Sequence, residues 1–541
     1  MKRTKLYIAL SLMAATVGFT SCDDYLDKLP DNRMELSSPS DVSKLLVNAY
    51  SETNPAYLLE MYSDNTTEYY NNAWTAESRF QDQAYAWADI TETGNESVNL
   101  IWDSYYSAIR TANEAIAFIE KQKNQDEYKA QLGEAYVCRA YAEFILSTVF
   151  CRAYNPQTAD KELGLPYPTA PDYKLLVEYD RGTLAQLYDN IDKDLKRGIP
   201  LLTNTYEHPK FHFTPAAANA FAARFYLYYQ KYDDAIRHAT AALGSNPATK
   251  LRDWASWYGL SMNYQVQPNA YISSTNPANL LLQVTYSMWG IYGGPYGMAE
   301  KYAHGARVSK NETLQAEGPW GKTETAMAGE ENSAVFYTNG LSKYILRKIP
   351  FLKEVTDVSS GTGYAHSEFS VLNTDETLVV RAEAYALKGE YEKALADINT
   401  ELSKFMPYMS APLTIEGIKE FYNGTKRPNG AYVGGLDYYT PEYPTVKHEL
   451  HPMGFTLEEE TQDPMIQCIL QLRRLLTIHE GLRMQDVKRY GITIYRMKLN
   501  ESDELIEVTD KMTADDPRSA VQLPVEVLSA GMQPNPRNTN K

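Results

Sequence analysis

The sequence predicts a mainly α protein built from stacked helical hairpins, with long irregular aromatic-rich loops and little β. Three observations carry this. Apolar residues recur at helical spacing through several segments of about 20 residues, as in Leu100–Ile119 and Tyr128–Phe150. Two distant segments repeat one pattern: Ala223, Tyr226, Tyr232, Ala235 and Leu243 have the offsets of Ala382, Tyr385, Tyr391, Ala394 and Leu402. Between the helical segments lie long stretches rich in Tyr, Trp, Asn, Gly and Pro, which read as irregular loops.

The chain opens on Lys2, Arg3 and Lys5, an apolar run from Leu6 to Thr20, and a small Ser21 before Cys22. That is the three-part layout of an export signal. The run is shorter than the roughly 20 apolar residues that span a bilayer. Residues 1–21 therefore read as a lipoprotein signal peptide, with Cys22 as the lipidated first residue of the mature chain and 22–39 as a polar tether. Several acyl chains on one cysteine anchor stably, whereas one chain binds marginally. Removal of the leader's three cations takes the formal net charge from −17 to about −20. A chain this acidic, with no Lys/Arg-rich run, does not bind nucleic acid.

The domain over 40–541 begins at Ser40-Asp41, a helix start before Val42, Leu45, Leu46 and Ala49. Leu100–Ile119 pairs with Tyr128–Phe150, and Leu184–Leu202 with Thr214–Leu243; Glu376–Leu402 and Met465–Tyr490 follow. The repeated Ala/Tyr pattern is that of a tetratricopeptide-like hairpin, in which Ala lets helices approach and Tyr packs at the turn. Lys231-Tyr232-Asp233 and Lys388-Gly389-Glu390-Tyr391 fall at those turns. Such hairpins bury an apolar face only by stacking. Cys138 and Cys151, on one predicted helix, stand roughly 20 Å apart at about 1.5 Å per residue, so with Cys468 they are read as buried thiols.

The long stretches around 64–99, 251–322 and 403–461 are the candidate ligand-binding loops, since loops of this length in a compact chain are usually functional. Their aromatic content argues against disorder. The first supplies Asp64, Asn65, Tyr69, Tyr70, Asn72, Trp74 and Arg79; the second supplies Trp289, Tyr292 and Tyr296, with Trp320 downstream. Sugar rings offer apolar C–H faces edged by hydroxyls, so flat rings beside amide, carboxylate and guanidinium groups suit them. The 43 Tyr against 15 Phe make ordinary packing the rival explanation for any one ring.

No catalytic constellation emerges. There is no nucleophile elbow and no phosphate-binding Gly loop. His448 and His451 at one-turn spacing near Glu458–Glu460 lack a full ligand set, so no metal and no cofactor is assigned. Arg483, Asp486 and Arg489 read as an ion-paired structural network.

Many weak motifs in order carry a resemblance. They run from Cys22-Asp23-Asp24-Tyr25-Leu26-Asp27 and Trp102-Asp103-Ser104-Tyr105-Tyr106 through Arg139-Ala140-Tyr141, Leu163-Gly164-Leu165-Pro166 and Tyr188-Asp189-Asn190-Ile191. Arg381-Ala382-Glu383-Ala384, Glu480-Gly481-Leu482-Arg483 and Gln533-Pro534-Asn535-Pro536 complete them. Together these resemble the SusD/RagB family of outer-membrane nutrient-capture lipoproteins. The resemblance implies a surface-exposed, lipid-anchored, non-enzymatic binder of oligosaccharides working with a SusC-like TonB-dependent transporter, with its hairpins toward the transporter and its loops toward the medium. Peptide capture is the alternative within the family; outside it stand a lipid-anchored glycan hydrolase and a helical-repeat scaffold for a protein partner.

Overall fold

Nine helices, paired largely as the Ala/Tyr pattern predicts, make the frame that holds the long segments. The computed structural model describes residues 36–537 apart from 69–78, 95, 172–178, 263–264, 288–300, 336, 339–342, 428–431 and 501. Cys22 and the leader lie outside the described residues. The frame consists of α1 (Val98–Glu120), α2 (Lys129–Phe150), α3 (Leu184–Gly198), α4 (Pro215–Tyr228), α5 (Tyr232–Leu243), α6 (Thr374–Leu387), α7 (Tyr391–Phe405), α8 (Gln462–Leu476) and α9 (Arg483–Tyr490). The short first helix spans Pro39–Leu46, and its cap is Ser38, whose side chain accepts from the Asp41 N–H, not Ser40.

Local chemistry sets the boundaries. Ser97 caps α1, a Thr183/Gln186 capping box opens α3, and Thr214 followed by a proline opens α4. The helical segment from Thr214 to Leu243 breaks where Gln230 takes φ +60°, and the one from Glu376 to Leu402 breaks at Gly389, φ +76°. Both breaks fall at the turns that the sequence marks.

Each of these two segments is thus a hairpin by itself, which corrects one pairing. The Leu184–Leu202 helix packs not on Thr214–Leu243 but back on α2. A methyl group on Gly133 of α2 would meet the carbonyl of Gly198 at 2.9 Å, so two glycines bring these helices together. Hairpin α4/α5 then stacks on α6/α7 through α5 and α6, and α8 closes the stack over α6 and α7. Phe144 of α2 meets Phe221, Phe225 and Tyr228 of α4, which makes the core continuous between the first hairpin and the rest.

The interior also carries arginine–carboxylate forks between neighbouring helices. Arg139 reaches Asp194 at 2.6 and 2.8 Å, Arg224 reaches Glu376 at 3.1 Å, and Arg381 reaches Asp397 at 2.8 Å. Bidentate geometry of this kind orients as well as binds. Cys138, Cys151 and Cys468 are buried and free, and burial pushes the Cys151 thiol up to about 11.

Among the described residues, two of the small sheets that attach to the frame have more than two strands. One orders β2 (Asn279–Thr285), β5 (Thr362–Asn373) and β4 (Leu352–Asp357), all antiparallel. The other orders β7 (Leu505–Met512), β6 (Ile494–Leu499), β1 (Thr67–Glu68) and β3 (Tyr302–Ala303). Among the described residues no helix is long and apolar enough to cross a membrane.

Candidate functional site

The two-residue strand β1 decides where the aromatic segments go. It pairs parallel with β6 through Glu68 and Lys498, and antiparallel with β3 through Thr67–Ala303 and Glu68–Tyr302. The chain that enters the first aromatic stretch after Glu68 therefore lies beside the chain that leaves the second at Lys301. Side chains lock the junction. Lys301 bridges Glu68 at 3.1 Å and Asp82 at 3.5 Å, the Tyr302 hydroxyl donates to Asp82 at 2.5 Å, and the Tyr302 ring lies 4.6 Å from that of Tyr85. A third strand root joins them, since Gly305 bridges Lys343 and the Tyr344 N–H donates to the His304 carbonyl at 2.8 Å.

Beneath this junction a charged cluster ties all three long segments to the C-terminal helices. Arg483 of α9 grips Asp64 of the first segment with two hydrogen bonds of 2.9 and 2.7 Å. Arg474 of α8 donates to the Asn65 side chain at 2.9 Å, the Asp64 carbonyl at 3.1 Å, and Glu312 of the second segment at 2.9 Å. His448 of the third segment completes the group. Its backbone is held in both directions by Gln467, at 3.2 and 2.7 Å, and its ring stacks on Tyr439 at 5.0 Å.

The electrostatics follow from burial against these partners. Burial opposes ionisation of Asp64, but the Arg474 and Arg483 guanidiniums outweigh it and hold the carboxyl far below its usual range. Burial pushes Glu312 upward, Asp64 adds to the effect, and Arg474 opposes it. Burial, then Arg483, depresses His448 to about 3, so its imidazole is neutral. The cluster is a strut under the segments.

Ligand-type atoms of Asp64, Glu312 and His448 lie within 4.8 Å of one another. Both carboxylates are already engaged by guanidinium groups, so a cation would have to displace an arginine in a buried site. His451 stands apart from this group, half-exposed and 3.8 Å from Glu449.

Of the residues predicted to touch a ligand, Tyr69, Tyr70, Asn72, Trp74, Trp289, Tyr292 and Tyr296 lie outside the described residues. Arg79 is exposed where the chain leaves the first stretch, paired with Glu92 at 3.2 Å. Three others have partners inside the protein. Asn65 is fully buried between Arg474 and Glu60, donating to Glu60 at 3.1 Å. Asp64 is the carboxylate of the strut. Trp320 packs in the core and its indole N–H donates to the Thr323 hydroxyl at 3.0 Å, so its ring face is spent on packing.

The predicted Arg483–Asp486–Arg489 network divides. Arg489 stays with Asp486 at 3.4 Å, joined by Arg473 at 3.0 Å and by Glu383 against both arginines, while Arg483 turns to Asp64. Arg474 and Glu312 were missed as site-building groups. The available signal was the adjacent Arg473 and Arg474 between Leu472 and Leu475-Leu476. Exposed Tyr438 and Tyr443 on the third segment were missed as well. A polar cavity of about 490 Å³, lined in part by Tyr167, Arg181, Asp189 and Lys193 around α3, shares no residue with the three segments.

A family model described as SusD-like, "Starch-binding associating with outer membrane", matches residues 24–227. No curated protein sequence matches the chain significantly. Among solved structures, a SusD superfamily protein from Bacteroides thetaiotaomicron is 18% identical, with 93% of this chain and 100% of that one covered at a TM-score of 0.59. A SusD-like carbohydrate binding protein from Bacteroides vulgatus is 12% identical, covering 92% and 97% at 0.57. A laminarin binding SusD-like protein is 15% identical, covering 93% and 100% at 0.54. Identities this low establish a common fold and nothing finer. Residues 24–227 thus match the SusD-like family model, and the fold over most of the chain is that of the solved SusD superfamily structures.

Proposed function

We propose that this protein is a cell-surface lipoprotein, anchored through Cys22, that captures oligosaccharides without chemical turnover and passes them to a SusC-like TonB-dependent transporter. The observation that carries the reading is the pairing of β1 with β3, which roots the two aromatic-rich segments side by side. The reading assigns ligand contact to the rings of Trp74, Tyr69, Tyr70, Trp289, Tyr292 and Tyr296, together with Arg79. The family's description as starch-binding and outer-membrane-associated supports the ligand class and the location. The carboxylates of the strut are held by arginines, which favours a binder over a hydrolase among the described residues.

Two or three stacked rings at roughly 1 kcal/mol each, with a few hydrogen bonds, put affinity in the millimolar to micromolar range, which suits capture and release. Calorimetric titration with fractionated plant, host and fungal oligosaccharides, alongside peptide pools, tests the reading. Saturable heat with one glycan fraction, weakened about fivefold in Trp74→Ala, is the expected result. Heat with peptides alone would reassign the solute, and glycan turnover would make the protein a hydrolase.

A further inference from the structure

Around Val284, Tyr286 and Tyr364 the sheet of β2, β5 and β4 leaves part of one face open to solvent, and that part carries charge of one sign. Its register sets Val284 opposite Glu368 and Glu354 opposite Tyr364. Because side chains alternate along a strand, Tyr364, His366 and Glu368 share this face with Val284 and Glu354. Tyr286, just past β2, extends the row: its ring meets that of Tyr364 edge-on, centroids 6.1 Å apart. Val284 is 49%, Tyr286 38% and Tyr364 60% exposed, an apolar row that a soluble surface does not need.

The row is bordered by carboxylates. Glu52 lies beside Tyr286, whose N–H donates to the Glu52 carbonyl at 2.9 Å, and Glu52 is the main influence pushing the Tyr286 phenol up. Glu368 is partly buried, and burial lifts its carboxyl to about 7. Lys353 is the single lysine or arginine in these three strands. The register puts it on the opposite face, where its ammonium donates to the Gly361 carbonyl at 2.7 Å. Strand β4 is also the sheet's last strand, and its outer backbone edge is unpaired among the described residues.

A second copy of this chain is a poor occupant, because its net charge of −17 sets like against like. A cationic, extended chain meets every feature at once. Its backbone can add to the β4 edge, its apolar side chains can cover Val284 and the tyrosines, and its ammonium or guanidinium groups can meet Glu354, Glu368 and the ring faces. We propose that this face and edge form a docking site for an extended lysine- or arginine-bearing segment of a partner protein. The proposal goes beyond solute capture and does not rest on it.

The probe is a fluorescent alternating valine–lysine octapeptide, titrated by anisotropy into the full chain. Its valine–glutamate counterpart and a glucosamine trimer serve as rivals. The lysine peptide is expected to bind saturably, to weaken about tenfold when salt is raised well above physiological strength, and to protect the backbone amides of 352–357 from hydrogen exchange. Glu354→Lys with Glu368→Lys, and separately Tyr364→Ala, should each weaken it at least about tenfold. Glu354 and Tyr364 are exposed, so Glu354→Lys alone and Tyr364→Ala should melt like the parent and still weaken peptide binding. Absence of peptide binding, equal binding of the acidic peptide, indifference to the substitutions, or protection of this face by the glucosamine trimer alone would each overturn the proposal.

Discussion

Arg474 is the residue on which most of the candidate site turns, because one guanidinium joins Asp64, Asn65 and Glu312 from two segments far apart in sequence. Arg474→Met keeps the apolar stem but leaves Glu312 buried without its cation, and breaking a buried pair from one side costs about 3–5 kcal/mol. Urea unfolding should show that loss, and Arg474→Lys should recover only part of it, because an ammonium cannot reproduce three directed contacts. A full rescue by lysine would show that charge alone matters there. Glu143 poses the opposite case. It is fully buried in α2, neither carboxyl oxygen has a hydrogen-bond partner among the described residues, and burial pushes its pKa far up despite Arg139. An acid raised in the fold stays protonated while the unfolded chain ionises at about 4.3, so its contribution is unpenalised below that pH and falls as pH rises. Glu143→Gln should therefore match the parent most closely near pH 4 and gain on it steadily toward pH 8. The slope of the difference is the readout, because any constant cost of the new amide drops out of it. A flat difference would mean that Glu143 is ionised in the folded protein. Neither residue announces itself in the sequence, where residue type is visible and burial is not. That is also why Asn65 and Trp320 looked like ligand contacts.

The helical hairpins were the most legible elements. Ala223, Ala235, Ala382 and Ala394 are all fully buried, as the repeated pattern requires of positions where helices approach. Ala382→Leu inserts three carbons into a packed interface and should destabilise by about 1–3 kcal/mol, whereas Ala396→Leu on the exposed side of α7 should stay within about 0.5 kcal/mol. Equal melting of the two variants would count against the Ala-mediated approach of α6 and its neighbours. What the sequence hid at this scale has physical causes. The partner of α3 was misread because proximity in sequence favoured α4, while the Gly133–Gly198 contact that selects α2 spans 65 residues. The strands were missed for a different reason. β1 and β3 have two residues each, too few for an alternating signal, and β2 (Asn-Leu-Leu-Leu-Gln-Val-Thr) is buried on both sides over most of its length and so does not alternate.

For the whole molecule, the pairing of β1 with β3 makes a statement about stoichiometry. If the aromatic stretches rooted at Glu68 and Lys301 serve one face, a single bound oligosaccharide touches both, and the chain has one site for it. Trp74→Ala and Trp289→Ala should then each weaken the same isotherm by about fivefold, the equivalent of roughly 1 kcal/mol of stacking, with the number of sites unchanged. Two rings stacked on different sugars of one ligand act nearly independently, so the double variant should lose about the product of the two effects. Two separate sites would behave differently: each substitution would abolish one class of binding and halve the stoichiometry while leaving the remaining affinity intact. Calorimetry reads affinity and site number from one curve, so it separates these cases. The strut adds a further constraint. Because Arg474 and Arg483 hold the roots of the segments from below, Arg483→Met should weaken glycan binding while leaving site number at one, and its effect should shrink in the Trp74→Ala background, where the positioned ring is already gone. An undiminished effect in that background would mean that the strut serves stability alone and that the aromatic face is positioned by the β1–β3 junction itself.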